Sequence, residues 1–525
     1  MLDTANKKLI DSLCNILVGK FPVPQDQVDQ ITIGLMYKFM SDMDNDSIEL
    51  YGGEKSFFIS GLEKFSWENV MSLGISGSER AELYKKGIES FEYAKNLPKL
   101  FRDIFKGAPS PMSDEEKLNK FLKKINEFSY ENSETLGHAY EYLLSKTGAQ
   151  GKLGQFRTPR HIIDFIVSII NPTKDEKILD PACGTAGFLI SAYKHIIEKN
   201  SKNNQSNSLS AEDLNKITKN IVGYDIESKM VRTSLVNLYL HDFSNPNIAE
   251  YDLLSEDSKW NDYFNVILAN PPFFSPEDGI NPHNRFTVQS GRAELLFLSY
   301  IMEHLLPNGR AGIIVPEGIH FNGTSQYTKV RNILINKGLL IDISLPHGVF
   351  KPYASVKTHI LIVDEKLASK CDDILFIELT NDGFSQTDTR KPVEGEQLSK
   401  SLEIIDEFKY KGKLSKRSED PLGYCVPRDE ILNHENFNLI GRWYDLPNRQ
   451  KKTSDFPLIS LDSSVIKILK GETPTTKTPS GDYRFIVSKK EFRTANKFDY
   501  ECNAVCIPKV SSSGHGKADI KTLQK

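Results

Sequence analysis

From Lys177 to Val363 short apolar runs alternate with longer amphipathic stretches, and this alternation constrains the fold more than any other feature. Lys177-Ile178-Leu179-Asp180 reads as a strand, Pro181 to Gly187 as a small-residue turn, and Phe188 to Ile197 as a helix. Ile221 to Asp225 is the next strand, and a third element ends before Asp252. Phe264 to Ala269 is a short run rich in large apolar side chains, stopped by Pro271 and Pro272, which cannot continue a ladder. Gly312 to Pro316, Leu340 to Pro346 and Thr358 to Val363 follow as strands, with Ala293 to Leu306 and Gln326 to Lys337 as helices. Such alternation specifies an α/β fold with a doubly wound, mostly parallel sheet. Ligands of open α/β sheets bind at the carboxyl ends of the strands. Chemistry is therefore expected around Asp180, Asp225, Asp252 and Asn270.

The flanks read differently. Residues 1–150 are expected to form a helical N-terminal domain. Leu118, Phe121, Leu122 and Ile125 fall on one helical face, after a capping Ser113-Asp114-Glu115-Glu116. Ile31, Leu35 and Phe39 make a similar stripe. Residues 151–395 would hold the α/β domain, 396–445 a helical and irregular connector, and 446–525 a small, incomplete β-rich domain. That last segment carries 12 Lys and 3 Arg against 5 Asp and 3 Glu, a net of +7, so the preceding 445 residues carry −11 of the chain's −4. A basic tail on an acidic body suits nucleic acid, although a solvated basic surface would look the same. The six cysteines are sparse, and Cys502-x-x-x-Cys506 lacks a second ligand pair, so no metal site is expected. No apolar run approaches a membrane span and the first residues open no signal peptide, which leads to the expectation of a reducing cytoplasm.

Three motifs carry chemistry. Asp180-Pro181-Ala182-Cys183-Gly184-Thr185-Ala186-Gly187 is a small-residue turn that lets backbone approach a ligand ahead of a helix start. It is not the dinucleotide fingerprint, and the chain has no Walker A pattern. Asp225 at the second strand end suits a ribose diol, and Asp252 suits the amine of an adenine. Solvated acids at strand ends remain the plainer reading of each alone. Gln155-Phe156-Arg157-Thr158-Pro159-Arg160 follows a Gly-rich joint and leads into a helix, with Thr158 as N-cap and Pro159 at N1. Asn270-Pro271-Pro272-Phe273 places an amide, a rigid backbone and an aromatic ring at a strand end, which can hold a planar amine.

These motifs, in this order and spacing, resemble the amino-methyltransferases that modify adenine in DNA, and among them the modification subunit of type I restriction–modification systems. Gly309-Arg310-Ala311 and Leu345-Pro346-His347-Gly348-Val349-Phe350 fit the same family. The resemblance covers about residues 10 to 395. One departure is Ala186, where the family usually has Gly; a slightly tighter turn is expected. Leu458 to Val465 with Lys470-Gly471-Glu472-Thr473-Pro474 looks like the opening of a target-recognition domain of a type I specificity subunit, although an unrelated β appendage remains open.

The resemblance implies an S-adenosylmethionine-dependent methyltransferase fold and an adenine-N6 DNA methyltransferase in the cytoplasm. Its partners would be double-stranded DNA, a separate or fused specificity part and a restriction subunit. It implies S-adenosylmethionine held by Gln155, Phe156, Thr158, Asp180, Pro181, Gly184, Thr185, Gly187, Asp225, Asp252 and Leu253. Asn270 and the Pro271 carbonyl would accept the two N6–H bonds of a flipped adenine, with Pro272 stiffening the loop and Phe273 stacking on the base. Cys183 is read as packing, not as a nucleophile. Cytosine-N4 and protein-glutamine methylation pose the same problem of a delocalised nitrogen. A non-catalytic S-adenosylmethionine-binding subunit is a further alternative.

Overall fold

The computed structural model describes residues 4–51, 53–129, 133–147, 158–202, 209–273, 279–352 and 354–445, with two short strands at 483–485 and 493–495. The chain divides into two compact units, Met1–Tyr444 and Asp445–Lys525.

The first unit opens with helices, among them Thr4–Val18, Pro24–Tyr51, Gly77–Phe91, Glu115–Asn126 and Ser133–Thr147. The predicted stripe of Glu115–Asn126 is buried throughout, and the Asp114 side chain caps the helix by accepting from the Lys117 N–H. Tyr37 centres this core, with its ring 5.3 Å from Tyr84 and 4.8 Å from Phe91, and its hydroxyl donates to the Phe65 carbonyl at 2.6 Å. Gly87 lies against it so closely that an added Cβ would sit 2.1 Å from the Tyr37 hydroxyl. The helical core does not stop at residue 150. It continues into Leu235, Val236 and Leu240 of the α/β part. Arg232, on the helix Ser228–Tyr239, donates to the carbonyls of Ile104, Lys106 and Gly107. The two regions therefore share one core.

Ten strands follow: β1 Ile178–Asp180, β2 Ile221–Asp225, β3 Asn247–Glu250, β4 Phe264–Ala269, β5 Leu305–Pro316, β6 Leu339–Ser344, β7 Thr358–Asp364, β8 Asp373–Glu378, β9 Ser418–Glu419 and β10 Leu422–Pro427. Among the described residues they form one sheet in the order β3-β2-β1-β4-β5-β7-β6-β8-β10-β9. The half from β3 to β5 is wholly parallel, as expected. In the other half β7 runs against β5 and β6, and β10 against β8 and β9. β4 is buried on both faces: Ile267 and Ala269 join one apolar cluster, Val266 and Leu268 the other. Helix Arg160–Ile170 crosses β5 at Gly312, where an added Cβ would meet Ile166 at 2.5 Å.

The helix Leu398–Lys411 and β10 pack into the first unit. Leu398, Ile405 and Phe408 of the helix Leu398–Lys411 are buried against the sheet, and β10 pairs along the whole of β8. Its charges are the solvated face of a packed helix, and Gly423 and Pro427 hide the alternation of β10.

In the second unit the described residues are two antiparallel strands, β11 Tyr483–Phe485 and β12 Arg493–Ala495. The recognition-like motif at 458–474 lies outside the described residues.

The chain passes from β1 through β2 to β3 on one side, then returns with β4 and β5 on the other. The switch point therefore lies between β1 and β4, and it opens a crevice above their carboxyl ends.

Candidate active site

Asp180 ends β1 and is buried, with its Oδ1 accepting from the Ala182 N–H at 3.1 Å. The turn is stitched to β2 by the Cys183 N–H, which donates to the Tyr224 carbonyl at 2.9 Å. Gly184 and Ala186 both take left-handed backbone, with φ of +53° and +62°. Glycine adopts this freely; for alanine it costs about 1 kcal/mol. Ala186 thus makes a strained turn, held by its N–H bond to the Cys183 carbonyl at 2.7 Å and by complete burial of its methyl.

Asp225 ties the turn to the end of β2. Its Oδ2 accepts from the Gly184 N–H and its Oδ1 from the Glu227 N–H, both at 2.9 Å. Two residues not singled out in the sequence hold the turn from behind: Ser234 donates to the Gly184 carbonyl at 2.6 Å and Asn237 to the Thr185 carbonyl at 2.7 Å. Their signal was available, since both are polar residues on the buried face of the helix Ser228–Tyr239. Ile226 was also missed. It is 64% exposed beside Asp225, a large apolar side chain at the carboxyl end of β2.

Burial sets the electrostatics. It pushes Asp180 up to about 8, with the nearby Asp225 charge adding to the effect. Burial also raises Asp225, against the opposing N–H bonds of Glu227 and Gly184. The Cys183 thiol is buried and driven far upward, as a packing residue should be and a nucleophile should not.

Asp252 lies two residues past β3. Its Oδ1 accepts from the Leu254 N–H at 3.0 Å, and its other oxygen accepts from the Ser255 hydroxyl. It organises its own turn, beside the buried Leu253.

Asn270 is the residue after β4. Leu179 pairs with Ile267, so Asn270 stands two residues beyond the level of Asp180 on the adjacent strand. At ordinary strand spacing that is about 8 Å between Cα atoms. The Asn270 Nδ2 donates to Thr158 Oγ1 at 2.9 Å. Thr158 was expected to cap a helix. Instead Pro159 holds the N-cap position of Arg160–Ile170 without a side-chain bond, and the buried Thr158 hydroxyl is engaged with Asn270. Pro271 is buried, and Pro272 and Phe273 are half-buried. Arg160 joins the parts, donating to the Gly187 carbonyl at 3.2 Å and to Glu141 at 2.5 Å. Gln155 and Phe156 lie outside the described residues. The turn from Pro181 to Gly187, Asp225, Thr158 and Asn270 thus gather at the switch point, with Asp252 further along the same edge.

This arrangement has relatives. The family of N-6 DNA methylases matches residues 131–452. The methylase subunit of the type I restriction enzyme EcoEI from Escherichia coli is 30% identical over 430 residues, 77% of this chain and 83% of that protein. The EcoKI methylase subunit of Escherichia coli strain K12 is 26% identical over 395 residues, 71% of this chain and 72% of that protein. The crystal structure of a type I restriction-modification methyltransferase subunit from Streptococcus thermophilus shares the fold, with a TM-score of 0.65 at 16% identity, covering 84% of this chain and 99% of that one. The cytosine, glutamine and non-catalytic alternatives find no support among these relatives. The chain belongs to the N-6 DNA methylase family, as an adenine-specific modification subunit of the type I restriction–modification kind.

Proposed function

We propose that the methyl donor is S-adenosylmethionine, seated over the carboxyl ends of β1 and β2, and that the acceptor is the N6 amine of an adenine flipped out of double-stranded DNA. The fit of the donor rests on four features of the chain. Space is open beside Gly184, where an added Cβ would meet nothing within 4 Å. Asp225 presents a carboxylate held in place by two backbone N–H groups, suited to a diol. Ile226 offers an apolar face for a flat ring, and Asp252 an acceptor for an exocyclic amine. Gln155, Phe156, Thr158, Pro181, Thr185, Gly187 and Leu253 would complete the pocket. S-adenosylmethionine supplies an electrophilic methyl group on a sulfonium.

The protein's task is to make a poor nucleophile attack. The N6 lone pair of adenine is delocalised into the ring. The Asn270 side-chain oxygen and the Pro271 carbonyl would accept its two N–H bonds, drawing the nitrogen toward tetrahedral geometry and aiming its lone pair at the donor. Phe273 would stack on the base. Catalysis is then positioning and electrostatics. The observation that supports this reading is the Thr158–Asn270 hydrogen bond, which commits the amide nitrogen to Thr158 and leaves the acceptor role to the side-chain oxygen. A specificity subunit, with the basic tail contributing phosphate contacts, would deliver the DNA.

The test uses labelled S-adenosylmethionine with the chain and a specificity subunit on duplexes with and without adenine. Label is expected only where adenine is present; label on adenine-free DNA would refute the reading.

Asp180 gives a second expectation. A cationic donor favours its ionised form, so donor binding releases its proton. Affinity should therefore rise with pH up to about 8 and level off above it, where Asp180 is already charged. Calorimetry from about pH 6 to about pH 9 checks this. Asp180→Asn should flatten the profile, and an unchanged slope in that variant would sink the assignment.

A further inference from the structure

We propose that His320, Asp342 and His359 form a binding site for a divalent transition metal of the zinc class, separate from the donor pocket. Asp342 lies on β6 and His359 at the start of β7. His320 sits on the single helical turn Gly318–Phe321 that follows β5. The ladder pairs Ser344 with His359, which puts His359 and Asp342 on one face as diagonal neighbours. The His320 Nε2 is 2.6 Å from Asp342 Oδ2 and the His359 Nδ1 is 2.7 Å from Asp342 Oδ1. One ligand atom from each of the three residues falls within 4.8 Å of the others, the one such group among the described residues. All three are buried, with His320 fully so.

Counting hydrogens points to an ion. If both imidazoles are neutral and donate to Asp342, then His320 Nδ1 and His359 Nε2 are bare lone pairs. Both atoms are buried and neither has a hydrogen-bond partner. Protonating His320 only exchanges an orphan acceptor for an orphan donor, with its desolvation penalty, whereas a protonated His359 would face the Glu317 carboxylate. A cation taken by the imidazole nitrogens uses those lone pairs. Glu317 stands ready as a further oxygen ligand, its Oε1 being 3.9 Å from His359 Nε2. Asp342 and Glu317 carry the two negative charges that balance a divalent ion. The neighbouring Lys357 is turned to the Leu345 carbonyl. Two imidazoles with carboxylates suit Zn²⁺ and its first-row neighbours rather than Mg²⁺ or Ca²⁺.

The site joins β6, β7 and the turn after β5 at the same edge of the sheet that carries Asn270. Its occupation would brace that edge without entering the chemistry of methyl transfer. No spacing in the sequence announces it, because the ligands stand 22 and 17 residues apart and meet only through the β6–β7 ladder.

The probe is Co²⁺, added to the full chain after treatment with a chelator and removal of excess ion. About one ion per chain is expected, with the visible absorption of a nitrogen and oxygen site, displaced by Zn²⁺. His320→Gln and His359→Asn each keep an N–H toward Asp342, and so protect the fold, while removing an imidazole ligand. Each should bind Co²⁺ at least about tenfold more weakly with its melting temperature in chelator unchanged. Failure of the wild-type chain to retain Co²⁺ would leave a hydrogen-bonded triad only and overturn the proposal. So would equal binding by both variants, or a thiolate-to-cobalt absorption band. If either variant fails to fold, Glu317→Gln on the partly exposed side of the site replaces it. Unchanged binding and an unchanged spectrum in Glu317→Gln, with the fold intact, would likewise count against the site as drawn.

Discussion

Asn270→Ala is expected to lower the rate of methyl transfer by about 10²- to 10³-fold, the range for removing one fixed hydrogen-bonding group from a transition state, while leaving donor affinity within about twofold. The separation follows from the fold. The proposed donor contacts at Gly184 and Asp225 belong to the ends of β1 and β2, where Asp225 grips the Gly184 and Glu227 N–H groups. Asn270 directly follows β4, and its described side-chain bond goes to Thr158. On the proposed reading, truncating it removes the acceptor for the adenine amine and leaves the Asp225 bonds to Gly184 and Glu227 in place. The Thr158 hydroxyl can turn to another partner, so the loss should not spread into the sheet. Single-turnover rates at saturating donor, together with calorimetric donor titrations, measure the two quantities independently. Loss of both would mean that Asn270 supports the donor pocket instead.

What the sequence made legible was whatever is periodic or short in range. β4 was readable because its apolar run ends in two prolines. The helix Glu115–Asn126 was readable because its stripe and cap lie within one segment. The carboxyl-end acids could be placed because a parallel sheet sends every strand end to the same edge. Contacts between distant residues were not legible. Thr158 reads as a helix cap because a Thr-Pro pair before an apolar helix is a good cap, yet its hydroxyl is taken by a residue 112 positions away. β10 was missed because glycine, cysteine and proline break its alternation, and its partner β8 is recognised only once the sheet is assembled. Ala186 was seen as a departure, but its left-handed backbone needs coordinates. The His320–Asp342–His359 group was invisible for the same reason as the Thr158 contact: it is made by strand pairing, not by a local motif.

Asp225→Ala is expected to do the reverse of Asn270→Ala: donor affinity falls by about 100-fold or more, while the rate at saturating donor changes little. Two hydrogen bonds from a diol to a carboxylate at about 1.5 kcal/mol each amount to roughly two factors of ten. The loss should exceed that sum. Asp225 also accepts from Gly184 and Glu227, and removing it leaves two backbone N–H groups in a half-buried turn without their acceptor. Ala186, two residues after Gly184, is held in a left-handed conformation, so a turn deprived of its anchor has stored strain to release. Asp225→Asn separates the two contributions. Its amide oxygen can keep the Gly184 bond and so the shape of the turn, but its NH₂ cannot accept from a hydroxyl. It should therefore bind the donor with an intermediate affinity and, having lost the Glu227 bond, melt between the wild-type and alanine proteins. Donor titrations and thermal melts of the three proteins decide the matter. A donor affinity in Asp225→Ala equal to wild type would move the ribose, and with it the whole donor, away from the end of β2.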